Sequence, residues 1–313
     1  MLFRRTDRTL TVDSPAKLNL FLEVLGRRPD NYHEIETLMV AVDWFDSLGI
    51  QLDASPLAEP APHGVPGVRL VVHQAFDRGV VFHRSHSIPV DSRNLVVRAA
   101  ELIAPLAAQR QPVRIDLVKR IPPESGLAGG SANAAAALVA LNEFWQVGLS
   151  QIELAQLASQ LGSDIPFFLS SHNAAVCTGR GERIDPLRLA GQLHVVIVRP
   201  KTGVSTAEVY RRCRSTAQPQ SVEKLRARLL SGEVTRGPLE LWNALQEPAE
   251  QINPEIHALC GLLQSESPLG VLMSGSGSAC FAVCHSIENA RRIASRLRAR
   301  QIGSVRVANT LAG

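Results

Sequence analysis

A glycine-rich segment near the middle of the chain constrains its fold more than any other feature. The segment runs from Pro122 to Asn133, contains Gly126, Gly129 and Gly130, and leads directly into the alanine-rich run 134–138. Glycine lets the backbone turn its amides toward a ligand, and the first turn of a helix leaves N–H groups free. A loop that continues into a helix therefore predicts a cradle for an anion, above all a phosphate.

This cradle differs from the common nucleotide-binding loop, because no Gly-Lys-Ser or Gly-Lys-Thr closes it. A surface turn would be the ordinary explanation of a lone glycine-rich segment. Three glycines within five residues, followed by Ser131 as a group that can cap the helix or contact phosphate, favour the phosphate site instead. The sequence thus indicates nucleotide binding by another fold.

Length and composition predict a globular protein of two domains that share a cleft. The chain has 313 residues, of which 45% are hydrophobic and 20% charged. A chain of this length is usually too long for a single hydrophobic core, and the composition is too apolar for a disordered chain. We expect an N-terminal domain over residues 1–170, with an insertion at about 54–90, and a C-terminal domain over 171–313.

Charge, cysteine content and the lengths of apolar runs argue against a nucleic-acid partner, a disulfide or zinc framework and membrane association. The net charge is only +4, the basic residues are scattered, and aromatic residues make up 4%, so no nucleic-acid partner is predicted. The five cysteines have no repeated C-x-x-C spacing, which argues against a disulfide framework and a zinc site. No membrane association is predicted, because no apolar run reaches the length of a membrane span. We expect a cytoplasmic monomer or homodimer.

Histidines in the insertion do not make a convincing metal site. His73, His83 and His86 follow a long loop, but the set of ligands is incomplete and surface histidines beside strands are commoner than metal sites. No protein-held metal is therefore predicted.

Two candidate functional groups lie outside the glycine loop. Residues 9–25 predict a pair of strands interrupted at 14–17, and the alternation of apolar residues places Lys17 and Asn19 on one strand face. Asp164 follows the expected end of a helix at Gly162 and precedes an apolar run, so its carboxylate would lie beside a wall of low polarity.

A phosphate cradle, a lysine and a carboxylate together predict phosphoryl transfer. In this chemistry the cradle holds the nucleotide phosphates, a cation offsets charge on the transferring group, and a base orients the attacking hydroxyl. Asp164 would be that base. The simpler alternatives are a loop carboxylate that caps local amides and a lysine on a strand surface.

Several segments together resemble the GHMP small-molecule kinases. Residues 14–20, 122–133 and 273–278 match this family in order. Within it, segments 16–19, 31–35 and 162–168 are similar to the branch that phosphorylates a cytidine diphosphate derivative of methylerythritol in the non-mevalonate route to isoprenoid precursors. The similarity spans about residues 10–285 and leaves the insertion outside the shared segments.

The resemblance implies an α+β, two-domain GHMP kinase fold with the active site in the cleft between the domains. It implies an ATP-dependent transfer to the 2-hydroxyl of the cytidyl substrate, with Mg²⁺ accompanying ATP. Lys17 and Asp164 would be the catalytic pair, Asn19 would position the substrate, and Asn94 and Lys119 would lie near the adenine and ribose. The ATP phosphate loop would consist of Pro122, Pro123, Glu124, Ser125, Gly126, Leu127, Ala128, Gly129, Gly130, Ser131 and Ala132.

The cytidine end of the substrate needs flat apolar surfaces and polar groups at the edge of the ring, and aromatic side chains supply both. The chain has only two tyrosines, Tyr32 and Tyr210, and both lie in segments similar to the family. We expect them to sandwich the cytosine while His33 bonds its edge, with Gly275 and Gly277 of the second glycine loop also contacting substrate. Alternatively, both tyrosines are amphipathic rings at the edge of the core.

Two other functions remain open at this level. One is another kinase of the same family, acting on homoserine, mevalonate or a sugar. The other is a nucleotide-binding regulator that keeps the fold without turnover, against which Lys17 and Asp164 argue.

Overall fold

The structure is a computed structural model that describes residues 1–6, 9–53, 66–76, 88–170, 172–215, 217–235 and 237–312. Its strands are β1 (Leu2–Arg5), β2 (Thr9–Arg27), β3 (His33–Leu52), β4 (Val68–Gln74), β5 (Val113–Lys119), β6 (Ala174–Gly179), β7 (Arg183–Pro186), β8 (His194–Arg199), β9 (Trp242–Asn243), β10 (Gly270–Met273), β11 (Cys280–Cys284) and β12 (Ser304–Asn309).

The helices are α1 (Leu95–Ile103), α2 (Gly129–Phe144), α3 (Gln151–Ser159), α4 (Ile165–Leu169), α5 (Thr206–Arg212), α6 (Glu223–Ser231), α7 (Gln246–Ile252), α8 (Pro254–Gln264) and α9 (Ile287–Ala299). The chain therefore combines helices and strands, which confirms the predicted α+β class. No helix within these described ranges is both long and apolar enough to cross a membrane.

Two long antiparallel strands, β2 and β3, form the centre of the first sheet. Its order is β1-β2-β3-β5-β4, and β6 pairs with the first half of β3 while β5 pairs with the second half. The prediction of two strands over residues 9–25 was wrong, since β2 runs unbroken through Pro15. A register shift between Pro15 and Ala16 lets the strand pass a residue that cannot donate to the ladder.

The second sheet has the order β10-β11-β8-β12, with antiparallel neighbours throughout. One face packs with side chains of β2 and β3 in a shared core that includes Leu18, Phe21, Trp44 and Phe281. The other face packs with helical side chains such as Leu259 and Ile293. Helices α1–α4 cover the first sheet in a separate core.

Helix α2 lies deep in the first core because its side chains are small. The four alanines 134–137 are fully buried, and Asn133 accepts a hydrogen bond at 2.8 Å from the buried hydroxyl of Ser14 on β2. Small side chains allow the helix backbone to approach the sheet closely. The glycine loop that precedes α2 is thereby held next to Lys17.

Part of the predicted insertion is an edge strand, since β4 pairs in parallel with β5. His73 on β4 contacts Asp116 through Nε2 at 3.0 Å, whereas His83 and His86 lie outside the described residues. Strands β6 and β7 follow residue 170 yet belong to the first sheet. The division of the chain at residues 170 and 171 stays a prediction.

Candidate active site

A cavity of about 1240 Å³ is lined by residues from both halves of the chain. It collects the glycine loop, the face of β2 that carries Lys17, the start of α4, helix α5 and the loop between β10 and β11. The predicted site residues that line it are Lys17, Asn19, Tyr32, His33, Pro122, Pro123, Glu124, Ser125, Gly126, Ala128, Gly129, Gly130, Ser131, Asp164, Tyr210, Gly275 and Gly277.

Lys17 and Asn19 lie on the same face of β2, as the strand alternation predicted. The Lys17 ammonium donates to the Asn19 side-chain oxygen and, at 2.9 Å, to the carbonyl oxygen of Gly126. The Asn19 amide in turn donates to Thr37 Oγ1 at 2.8 Å, and Thr37 donates to the carbonyl of Phe21 at 2.6 Å. This chain of buried hydrogen bonds fixes the ammonium beside the glycine loop.

Asp164 lies across from Lys17 in the turn that opens α4. Its Oδ2 is 3.7 Å from Lys17 Nζ, and the carboxylate is one-third exposed whereas the ammonium is 4% exposed. Burial lowers the pKa of Lys17 below that of a free lysine, and the Asp164 charge partly raises it again. The carboxylate therefore faces the cavity while the ammonium is held within the wall.

The glycine loop has a backbone that few sequences can adopt. Gly126 has φ +75°, and a Cβ there would overlap the carbonyl oxygen of Ser274. Ala128, with φ +53°, precedes the first residue of α2 in a left-handed conformation. Glu124 also has positive φ and is exposed.

The two glycine loops are joined to each other. Ser274 Oγ donates to the Gly126 carbonyl at 3.1 Å, and Ala279 N donates to the Ser125 carbonyl at 3.0 Å. The Asn243 amide donates to the carbonyls of Met273 and Gly275 at 2.8 and 2.7 Å. The second sheet thus supports the glycine loop of the first half of the chain.

Aromatic rings and cationic groups line another part of the cavity. The rings of His33 and Tyr210 have centroids 5.0 Å apart at an interplanar angle of 30°. The Arg180 guanidinium covers the exposed ring of Tyr32 at 4.6 Å. Burial, followed by the Arg27 charge, lowers the pKa of His33. Burial and then the Asp164 charge raise the pKa of the Tyr210 phenol.

Four of the predicted nucleotide-site residues do not line this cavity: Asn94, Lys119, Leu127 and Ala132. Asn94 caps α1 by accepting from Val96 N at 3.0 Å. Lys119 is buried in an ion pair with Asp46, and burial lowers its pKa. Contact of these residues with a nucleotide stays a prediction.

Two polar residues of the site, Thr37 and Arg180, were not singled out from the sequence, and Ser274 was identified only as part of the second glycine loop. Thr37 holds Asn19, Ser274 holds the Gly126 carbonyl, and Arg180 covers Tyr32. Arg180 stands between two glycines of positive φ in the turn between β6 and β7. The Gly-Arg-Gly sequence was a signal for a turn at this position, but not for the contact that its arginine makes.

Comparisons with known proteins relate both halves of the chain to one family. Residues 94–172 match the family model of the GHMP kinases N terminal domain, and residues 223–302 match that of the GHMP kinases C terminal. A 4-diphosphocytidyl-2-C-methyl-D-erythritol kinase of Pelotomaculum thermopropionicum is 39% identical over 92% of this chain and 94% of its own. The enzyme of the same name from Rhodopirellula baltica is 36% identical over 93% and 92%.

Solved structures show the same fold. A crystal structure of 4-(cytidine 5'-diphospho)-2C-methyl-D-erythritol kinase is 34% identical, covers 97% of this chain and 100% of its own, and superposes with a TM-score of 0.76. L. major mevalonate kinase in complex with R-mevalonate superposes with a TM-score of 0.70 at 16% identity, over 99% and 97% of the two chains. The latter similarity concerns the fold alone.

Proposed function

This chain belongs to the GHMP kinases and, within them, to the 4-diphosphocytidyl-2-C-methyl-D-erythritol kinases, and from that premise we propose its reaction. It is an ATP-dependent kinase that phosphorylates the 2-hydroxyl of 4-diphosphocytidyl-2-C-methyl-D-erythritol, a step of the non-mevalonate route to isoprenoid precursors. One observation carries the proposal at the level of geometry. The Lys17–Asp164 pair, the glycine loop and Tyr210 line one cavity, in which Lys17 donates to the Gly126 carbonyl and lies 3.7 Å from Asp164.

The chemical step uses the two charges of this pair. The Asp164 carboxylate accepts the proton of the 2-hydroxyl, whose oxygen bonds to the γ-phosphorus of ATP. The bond from that phosphorus to the β–γ bridging oxygen breaks, and ADP leaves. The Lys17 ammonium stabilises charge on the transferring group, and the free N–H groups at the start of α2 hold the phosphates.

The aromatic part of the cavity is assigned to the cytidine. Tyr32 and Tyr210 would present ring faces to cytosine, and His33 would bond its edge as a neutral imidazole because its pKa is lowered. Stacking contributes about 1–3 kcal/mol per base. Arg180, which already covers Tyr32, adds a planar cation to this wall.

Magnesium would arrive with the nucleotide. The described residues contain no group of three or more His, Cys, Asp or Glu side chains that could hold a metal. Mg²⁺ commonly keeps several waters and is held by one or two carboxylates and by substrate phosphates. Ser131, which lines the cavity in the first turn of α2, would contribute its hydroxyl oxygen to such a shell. When bound, Mg²⁺ would neutralise phosphate charge.

The decisive experiment compares acceptor alcohols. Purified protein with ATP and Mg²⁺ is assayed on the cytidyl substrate, homoserine, mevalonate and a sugar, and ³¹P NMR identifies the phosphorylated hydroxyl. We expect turnover on the cytidyl substrate with a new 2-phosphate resonance. Equal rates on the other alcohols would contradict the assignment, and nucleotide binding without turnover would favour a regulator. A cytoplasmic location and a monomeric or homodimeric state remain predictions.

A further inference from the structure

Glu23 on β2 is a buried carboxylate that the proposed mechanism does not use. Its side chain is 1% exposed. Its Oε1 accepts from its neighbour Val24 N at 2.9 Å, and its Oε2 accepts from Gln220 N at 2.8 Å and from Trp242 Nε1 at 3.0 Å. All three donors are N–H groups. The two oxygens of a carboxylate can accept from all three donors, whereas a glutamine amide has only one accepting oxygen.

The hydrogen bond to Gln220 joins β2 to the segment between α5 and α6. Its described residues are 213–215 and 217–222, which we call the connector. The connector begins directly after the helix that carries Tyr210. Its first residues, Cys213, Arg214 and Ser215, line the cavity. Its last residue, Val222, is fully buried in the core between the sheets.

Strand geometry shows that the first residues of the connector and Gln220 lie on opposite faces of β2. Leu22 and Val24 line the cavity, so Glu23 between them points to the opposite face of β2. The connector therefore starts in the cavity wall at Cys213 and reaches the far face of β2 at Gln220. A second carboxylate, Glu36, is the cross-strand neighbour of Glu23 and accepts from Val222 N at 3.4 Å.

We propose that Glu23 is a positioning residue for the acceptor substrate, acting through the connector. By holding Gln220 on the far face of β2, it keeps Tyr210 and the wall formed by Cys213, Arg214 and Ser215 in place before substrate arrives. Such preorganisation lowers the cost of binding. The ATP loop is held by Ser274 and Lys17, so we expect the larger effect on the acceptor.

The test is Glu23→Gln, which keeps the size of the side chain but replaces one acceptor with a donor. We expect KM for the cytidyl acceptor to rise about tenfold, the equivalent of one hydrogen bond to a charged group. KM for ATP should change less than about twofold, because other contacts hold the ATP loop. An unchanged acceptor KM, or an equal rise in both KM values, would overturn the proposal.

Trp242→Phe is the matched control, because it removes another donor from the same carboxylate and leaves the connector bond intact. A general structural role of Glu23 would make both variants behave alike, whereas the positioning role requires that only Glu23→Gln raises the acceptor KM. If Glu23→Gln fails to fold, Gln220→Pro removes the connector N–H without altering β2 and should raise the acceptor KM in the same way. An unchanged acceptor KM in folded Gln220→Pro would equally overturn the proposal.

The inference rests on the proposed function, but the two can fail separately. If the wild-type protein does not turn over the cytidyl acceptor, the proposed function fails. If the wild type does turn it over and Glu23→Gln has wild-type kinetics, the inference alone fails.

Discussion

The Asp164 carboxylate lies 3.7 Å from the Lys17 ammonium, although one residue precedes a short helix and the other lies on a long strand near the N-terminus. Lys17 also donates to Asn19 and to the Gly126 carbonyl. The ammonium therefore has fixed partners on the strand and on the glycine loop, whereas the carboxylate retains access to the cavity. This difference in environment suits Asp164 to accept a proton from the substrate and Lys17 to act as a cation in a fixed position.

Replacing Asp164 with asparagine should abolish most turnover while preserving the nucleotide site. The amide keeps the shape of the side chain but cannot accept the hydroxyl proton, so kcat should fall by about 10²–10⁴-fold, the usual contribution of a general base. ATP affinity, measured by titration calorimetry, should change little. Asp185→Asn is the control, because that carboxylate pairs with Arg226 at the surface. Wild-type kcat in Asp164→Asn would remove Asp164 from the mechanism.

Removing the ring of Tyr210 should weaken acceptor binding. If Tyr210 stacks on cytosine, Tyr210→Ala loses about 1–3 kcal/mol of stacking, which corresponds to roughly a five- to 150-fold rise in acceptor KM. Tyr210→Phe retains the ring and should stay near wild type. Steady-state kinetics with each substrate varied in turn provide the measurement. A loss of folded protein in Tyr210→Ala, detected by thermal melting, would instead support a role at the edge of the core.

Local features of the sequence predicted local structure well. The glycines of the loop and the small residues that follow predicted a loop that continues into α2, because both depend on backbone conformation within a few residues. The alternation along β2 placed Lys17 and Asn19 on one face. Pro15 misled the strand prediction, because a bulge can accommodate a proline that an ideal ladder cannot.

Contacts between segments that are distant in the sequence could not be predicted in the same way. Nothing in the spacing of Lys17 and Asp164 places them together, and only the resemblance to a family suggested that pairing. Ser274 and Thr37 act through hydrogen bonds whose partners are set by the packing of the sheets and loops. Glu23 could not be distinguished from a surface glutamate until Gln220 and Trp242 were seen to donate to it.

The pH dependence of turnover should report the lowered pKa of Lys17. The ammonium is the active form, and it loses its proton as the pH rises through its pKa. Burial lowers that pKa, so kcat should decline at a pH below about 10.4, the ordinary pKa of lysine. Rates across the alkaline range at saturating substrates test this.

Two variants assign that alkaline decline to Lys17. Lys17→Arg, whose guanidinium stays charged, should move the decline to higher pH even if its rate is reduced. Asp164→Asn removes the charge that raises the pKa of Lys17, so its residual activity should decline at lower pH. An alkaline decline at the same pH in all three proteins would show that another group titrates.

Among alanine substitutions at the glycines of the loop, Gly126→Ala should damage the nucleotide site most. At φ +75° an alanine costs on the order of 1–3 kcal/mol in backbone strain, and its Cβ would overlap the Ser274 carbonyl. The two glycine loops would have to separate, which would disturb the Gly126 carbonyl that accepts from Lys17. We expect a lower melting temperature, a higher KM for ATP and a reduced kcat.

Gly261→Ala is the matched control, because that glycine lies within α8 with no neighbouring atom within 4 Å of an added Cβ. This change should stabilise the helix by about 0.5–1 kcal/mol and leave the kinetics unaltered. Wild-type kinetics and stability in Gly126→Ala would mean that the contact between the loops does not support phosphoryl transfer.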